Sequence, residues 1–286
     1  MEYIDLHIHS SHSDGIKSPA EIIRFAHEFK LKAISITDHD AISGTILACT
    51  SAEKKGIEVI PGIELSTRMT GCTVHLLGYY FDMGNAEILD YVEQNYYIRE
   101  ERAKKIVSRL HELGIKISFE LVKLHANGGV IGRPHIADVL LEEGYVYSFR
   151  DAFEKYLGEN RPAYVQKPTI TPEEGIRLIH NAGGLVFIAH PAVEITDENI
   201  YHLIGQGLDG IEVYHPKHMP SDVEHYMQIA QANDLLICGG SDCHGPRNNN
   251  DMMMGTIPVP YSHLEQMKSR LADVQTGFVV SNHRLV

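Results

Sequence analysis

Seven short apolar or β-branched runs punctuate this chain, at about residues 3–8, 33–37, 58–63, 73–81, 185–189, 209–214 and 235–240, and most close on a His, Asp or Glu. Helix patterns with start signals lie between most of them. Ser18-Pro19-Ala20-Glu21 reads as a capping box with Pro in the first turn, and Thr171-Pro172-Glu173-Glu174 repeats that device. Ser221 to Glu224 and Ser262 to Glu265 have the same spacing. Alternation of this kind predicts an α/β fold with a mainly parallel sheet and helices outside it. Seven strands suggest a barrel missing one strand of the usual eight. Barrels of this kind build their active sites at the C-terminal ends of the strands. Side chains distant in sequence then converge there.

The cadence breaks between residues 84 and 164, where long charged and periodic stretches at 86–113, 136–143 and 149–157 read as helices. An excursion of that length is too long for a simple loop. The expected organisation is a barrel of residues 1–83 and 165–286, with residues 84–164 inserted as a helical lid or substrate wall.

Histidine is the most telling count: 18 residues, against 14 Tyr and 8 Phe. A formal net charge of −13 argues against a broad basic face for duplex DNA or RNA. It does not exclude a small anionic substrate, because bound divalent cations would reverse the local field. The four cysteines show no CxxC spacing and suggest a reducing compartment. The N-terminus begins in strand-like sequence instead of a secretory signal, and no apolar run is long enough to span a bilayer. A cytoplasmic location without membrane contact is expected.

Five constellations carry chemistry. In Asp5-Leu6-His7-Ile8-His9, residues two apart on a strand share a face, so His7 and His9 could grip one metal with Asp5 behind them. An edge strand with outward polar residues fits the same pattern. Thr37-Asp38-His39-Asp40 puts two carboxylates and an imidazole at a strand end, costly to bury unless paired or metal-bound. A helix N-cap is the plainer account of Asp38 or Asp40. Glu64 closes the run ending Pro61-Gly62-Ile63 and could bridge two cations. His75 sits alone in an alternating strand. Ala189-His190-Pro191 ends a buried run. Ser241-Asp242-Cys243-His244 gives ligand spacing, with Cys243 a minor further candidate. Mixed N/O donors of this kind suit Mn2+, Fe2+ or Zn2+ better than a thiolate zinc cage.

These motifs, with Ser13-Asp14-Gly15, resemble the PHP (polymerase and histidinol phosphatase) superfamily of metal-dependent phosphoesterases in type and order. The closer resemblance is to a stand-alone bacterial branch that acts on nucleoside 3′,5′-bisphosphates, 5′-nucleotides or short oligoribonucleotide ends. Gly132-Arg133-Pro134-His135-Ile136-Ala137, the run at 210–216 and the run at 162–165 carry it. The resemblance implies a distorted (β/α)7 TIM-like barrel that holds three divalent cations, Mn2+ first, with Fe2+ and Zn2+ as alternatives. His7, His9, Glu64 and Asp242 would hold one. Glu64 would bridge to a second, held with His75 and His190. Asp14, His39 and His244 would hold the third. The implied chemistry is phosphomonoester hydrolysis by attack of a metal-bridging hydroxide.

Arg133 is expected to bind a second phosphate, or a free oxygen of the same phosphate, by bidentate donation, unless it pairs with Glu142 or Glu143. His135 is expected to contact phosphate or protonate the leaving alkoxide, and His215 and His218 to line the substrate site. Asp5, Asp38 and Asp40 are expected to support the ligands. Arg161 and Lys167 could hold phosphate but suit solvated surface equally. The rival activities are a histidinol-phosphate phosphatase, a metal-dependent amidohydrolase and a non-enzymatic nucleotide sensor. The oligomeric state is not legible in the sequence.

Overall fold

A computed structural model describes residues 2–52, 56–69, 71–246 and 253–282. In chain order the first part of the barrel runs β1 (Tyr3–Ile8), α1 (Pro19–Glu28), β2 (Ala33–Ile36), α2 (Ser43–Ala52), β3 (Glu58–Met69) and β4 (Cys72–Tyr79). Four helices follow, α3 (Ala86–Glu112), α4 (Phe119–Ala126), α5 (Arg133–Glu142) and α6 (Phe149–Ala152), the last continuing into a π-helical turn, Phe153–Leu157. The barrel then resumes with α7 (Pro172–Asn181), β5 (Leu185–Ile188), α8 (Pro191–Glu194), α9 (Asp197–Gly205), β6 (Gly210–Tyr214), α10 (Pro220–Ala232), β7 (Leu236–Gly239), β8 (Val259–Pro260) and α11 (Ser262–Asn282). No helix among the described residues is long and apolar enough to cross a membrane.

The strands form one sheet in the order β7-β6-β5-β4-β3-β2-β1-β8. Ile8 bridges Cys243 in parallel, and the His9 N–H donates to the Cys243 carbonyl at 3.0 Å, joining β1 to the segment after β7 and so nearly closing the barrel. Two features depart from the sequence expectation. The described residues form eight strands, the eighth a two-residue strand antiparallel to β1. β4 runs antiparallel to both neighbours. The cause is local: Met69 pairs with Cys72 across a connection containing Gly71 at φ +91°. A tight hairpin reverses the chain, whereas parallel neighbours need a long crossover. β3 also runs on past Glu64, which therefore lies within the strand and does not close it.

The capping boxes at Ser18 and Thr171 form as the sequence predicts. Those at Ser221 and Ser262 do not. α10 starts two residues earlier, with Asp222 accepting the Met219 N–H at 2.8 Å, and Ser262 is already helical. β1 carries a bulge between Asp5 and Ile8. Ile4 and Leu6 pack with Tyr79 and Phe187, while Ile8 packs with Ile22 and Ile23 of α1. A bulge re-aims side chains beside a site, and here it does so at the strand that carries His7 and His9.

The first turns of α3 belong to the barrel core through Ile88 and Tyr91. Beyond them, Ala103, Ile106 and Leu110 pack with Val122, Ile136, Leu140 and Leu157 in a cluster made of residues 103–163. The inserted segment thus has apolar packing of its own.

Candidate metal centre

All nine side chains expected as ligands come together at one end of the barrel. Glu64, buried in β3, is the hub. Its Oε1 lies 3.1 Å from His190 Nε2 and 3.4 Å from His75 Nδ1. Its Oε2 lies 3.4 Å from His7 Nε2, 3.2 Å from His9 Nε2 and 3.0 Å from His39 Nδ1. Asp242 Oδ1 faces His7 and His9 at 3.5 and 3.2 Å. Asp14 lies 3.3 Å from His244 Nε2, 3.6 Å from His9 Nδ1 and 3.8 Å from His39 Nε2. The donor atoms fall into four overlapping groups: His9, Asp14, His39 and His244; His7, Glu64 and His190; His7, His9 and Asp242; and His39, Glu64 and His75.

This arrangement fits cations. The His7 Nδ1–H donates to Glu212 Oε1 at 2.9 Å, so the neutral ring turns its Nε2 lone pair toward the oxygens of Glu64 and Asp242. Lone pair against lone pair is repulsive unless a proton or metal lies between. His7 Nε2, both ring nitrogens of His9, His39 Nδ1 and Glu64 Oε2 are buried, and none makes a hydrogen bond of acceptable geometry. Buried polar atoms are rarely left so. Ligand bonds of roughly 2.1 Å give ligand-to-ligand edges of about 3.0–3.4 Å, close to the spacing seen here.

Electrostatics agree. Burial alone would raise the carboxylates of Asp14, Glu64 and Asp242, but the imidazoles around them hold all three well below the usual range. Burial opposes an imidazolium at His9, yet Asp242, Glu64 and Asp14 outweigh it and raise its pKa to about 10. Without metal, protons supply the positive charge the site demands. Two of the candidate ligands also sit on strained backbone: His190 at φ +28° and Asp242 at φ +48°. Non-glycine residues in such regions cost about 1–3 kcal/mol each and cluster at functional sites.

The supporting acids work through the backbone. Asp38 accepts the Ser10 N–H at 2.7 Å and the Ser10 and Ser13 hydroxyls at 2.6 Å, folding the loop that carries Asp14. A methyl group at Gly15 would stand 2.2 Å from the His9 carbonyl oxygen, so glycine is required there. Asp5 accepts the Ser241 and Gly255 N–H groups at 2.9 and 3.0 Å, anchoring the segment before Asp242. Asp40 is buried and accepts from Arg99, Lys167, Tyr91 and the Ser66 N–H, so it ties the insertion to the strand end that carries His39. Cys243 packs on the opposite side, with Ile22 and Ile23.

Sequence reasoning did not single out Glu212, which receives His7 Nδ1–H and also the His190 N–H at 2.7 Å. The signal was an acidic residue inside the apolar run at 209–214, a burial too costly without a partner.

Beside these side chains lies a solvent-open cavity of about 160 Å³ between barrel and insertion. Asp14, His39 and His75 form one wall, and Arg102, Arg133, Phe153 and Tyr164 are among the residues of the rest. Arg133 reaches this cavity and does not pair with Glu142, which holds His125, or with Glu143; its Nη1 donates to the Leu157 carbonyl at 3.1 Å. His135 is not among the lining residues. Its Nδ1 accepts the Gly132 N–H at 3.0 Å and caps α5. His215 and His218 are not brought to this cavity either. His215 Nε2 lies 3.3 Å from Asp242 Oδ2, and His218 Nδ1 donates to the Val213 carbonyl at 2.9 Å. Lys167 is buried, contrary to a solvated-surface reading, and Arg161 is exposed.

Fold and site together define a metal-dependent phosphoesterase. Residues 5–164 match the PHP domain model, and the chain belongs to the PHP domain family. A Haemophilus influenzae protein named 5′-3′ exoribonuclease is 33% identical over 89% of this chain and 97% of its own. A Chromobacterium violaceum protein named 3′,5′-nucleoside bisphosphate phosphatase is 31% identical over 86% of this chain and 88% of its own. The crystal structure of a proposed metal-dependent phosphoesterase from Bifidobacterium adolescentis superposes with a TM-score of 0.87 at 29% identity, covering 94% of this chain and 96% of that one.

Proposed function

We propose that the protein removes phosphate from small nucleotide phosphomonoesters: a nucleoside 3′,5′-bisphosphate, a 5′-nucleotide or the 5′ end of a short oligoribonucleotide. The observation that carries this reading is the junction of the nine-ligand cluster with a cavity rich in arginine. The names of the relatives from Haemophilus influenzae and Chromobacterium violaceum support the same substrate class.

The reading takes three divalent cations, Mn2+ first. His7, His9, Glu64 and Asp242 would hold one, Glu64 with His75 and His190 a second, and Asp14, His39 and His244 the third. When bound, the cations supply Lewis-acid charge and a water that is nucleophilic at neutral pH. Arg133 binds phosphoryl oxygen through its guanidinium fork. His135 acts on Arg133 by capping the helix that presents it. His215 braces Asp242, and His218 fixes the chain after β6. Residues 84–164 serve as the wall that encloses the substrate. A cytoplasmic location accords with four cysteines that form no disulfide.

The test is phosphate release by Mn2+-loaded protein from adenosine 3′,5′-bisphosphate, AMP, histidinol phosphate and a 5′-phosphorylated short RNA. Turnover of the nucleotides well above histidinol phosphate is expected. Preference for histidinol phosphate, or no release from any of the four with metal bound, would overturn the proposal.

A further inference from the structure

A second concavity, a mainly apolar groove of about 240 Å³, lies between α3 and the segment that follows the insertion. Tyr97, Ile98, Arg102 and Lys105 form one wall, and Val165 and Pro168 are part of the other. Helical spacing produces the first wall. Residues 97, 101 and 105 are four apart and share a stripe, while Asn95, Arg99, Ala103 and Ile106 are buried. Tyr97 is 60% exposed, and its ring meets that of Tyr96 edge-on with centroids 5.7 Å apart.

The second wall is shared with the metal-side cavity. Tyr164, Lys167 and Thr169 line the cavity, whereas Val165 and Pro168 line the groove. Arg102 lines both. Its guanidinium lies 5.7 Å from the Tyr164 ring centroid, and its Nε donates to the Val165 carbonyl at 2.7 Å. Ile98 and Lys105, one helical turn to either side of Arg102, open into the groove. A chain that leaves the cavity past Arg102 therefore meets this groove next.

The composition selects the occupant. An exposed aromatic face over an apolar floor suits a flat π-system. Arg102 and Lys105 add positive charge, and neither has a carboxylate in ion-pair contact among the described residues. The acid of the groove, Glu101, is met by Lys104 at 2.7 Å. An aromatic platform flanked by cations is the composition that holds single-stranded nucleic acid. It stands out in a chain of net charge −13.

We propose that the groove is a base-stacking site for the 3′ portion of a short single-stranded oligoribonucleotide, with Tyr97 beneath a base and Lys105 facing the backbone that trails it. Tyr97 then selects for substrate length and not for sequence, because every base has a π-face. The proposal rests on the nucleotide phosphatase reading and deepens it, favouring RNA ends over mononucleotides.

The experiment compares Mn2+-loaded wild type, Tyr97→Ala, Tyr97→Phe and Lys105→Met on AMP and on 5′-phosphorylated di-, tri- and pentaadenylate. In wild type the ratio of kcat/KM for the oligonucleotide to kcat/KM for AMP should rise with length. In Tyr97→Ala the ratio for the longest should fall about 5- to 100-fold, mainly through KM, as expected for loss of one stacked base. Tyr97→Phe keeps the π-face and should retain most of the preference. Lys105→Met should make the KM of the longest substrate less sensitive to salt. A pentanucleotide with a non-hydrolysable 5′-phosphonate and 2-aminopurine placed in turn at each later position reads stacking apart from turnover. Its fluorescence should be quenched at one position by wild type and Tyr97→Phe, and not by Tyr97→Ala. A ratio that does not rise with length, or that Tyr97→Ala leaves unchanged with the quenching retained, would overturn the stacking site while leaving the phosphatase reading intact. Self-association abolished by Tyr97→Ala, with the ratio unchanged, would assign the groove to a second copy of the chain and overturn the proposal. Wild type inactive on AMP and all three oligonucleotides would overturn the phosphatase reading itself.

Discussion

Asp40→Asn isolates the contact that fastens the insertion to the barrel. The carboxylate is fully buried, and its two oxygens have different work. Oδ1 accepts the Tyr91 hydroxyl at 2.5 Å and the Ser66 N–H at 2.8 Å. Oδ2 accepts Arg99 Nε at 2.9 Å, Arg99 Nη2 at 2.6 Å and Lys167 Nζ. Burial would raise this acid, but Lys167 and Arg99 hold it far below the usual carboxylate range. Asparagine keeps the Oδ1 acceptor and puts an NH2 where three N–H donors converge. Arg99 and Lys167, each below 8% exposed, then lose the carboxylate they share. Breaking a buried pair in this way costs about 3–5 kcal/mol.

At roughly 2.1 cal/mol/K of unfolding entropy per residue, the 286-residue chain loses about 0.6 kcal/mol per degree, so Tm should drop by about 5–8 °C. Urea unfolding of metal-free protein followed by circular dichroism measures the loss directly. Adding Lys167→Met removes one stranded cation and should recover part of it, a coupling of about 0.5–3 kcal/mol. A loss below about 1 kcal/mol for Asp40→Asn, or strict additivity in the double variant, would refute the account.

Three further outcomes follow from the site. Glu212→Gln keeps the shape but weakens the acceptor behind His7 and His190, and metal affinity should fall about 10- to 100-fold by competition with a chelating dye. Unaltered affinity would mean Glu212 only fills space. Asp14→Ala should abolish most turnover with the circular dichroism spectrum retained, and metal analysis should show fewer bound equivalents than wild type.

The third outcome concerns protons. His9 has its pKa raised to about 10 in metal-free protein. Its contribution to metal-free stability is therefore fully present below pH 6.5 and is lost as pH rises through about 10. Metal needs the neutral ring, so affinity should climb with pH over that window, and binding at pH 7.5 should release protons. Calorimetry in buffers of different ionisation enthalpy reads the release, and identical heats in all of them would contradict it.

Much of the site was legible because its chemistry is local. A His, Asp or Glu near the end of an apolar run is expensive unless it has a job, and the runs leading to His9, His39, Glu64, His190 and Asp242 pointed to most of the candidate donors, while Asp14 and the complete set came from the resemblance to the PHP superfamily. Ser18 and Thr171 announced their helices through side chains three residues apart. The break in cadence after residue 83 marked the insertion, since helical periodicity needs no distant partner to be read. Ser221 and Ser262 show the limit of this: cap spacing recurs by chance, and only the backbone path decides which residue begins the helix.

What the sequence alone determined is the inventory: which donors exist, in what order, and that they must meet. Tertiary structure decided the rest. The hairpin at Gly71 turned β4 against its neighbours and placed His75 opposite Ser66, on the face that Glu64 shares. Packing buried Lys167 on Asp40, stood Glu212 behind His7, and left Arg102 beside Arg133 without an acid. Each depends on which residues lie within a few ångströms across long stretches of chain. Whether a charge is answered is a property of that neighbourhood, because desolvation and Coulomb attraction act through space and not along the sequence.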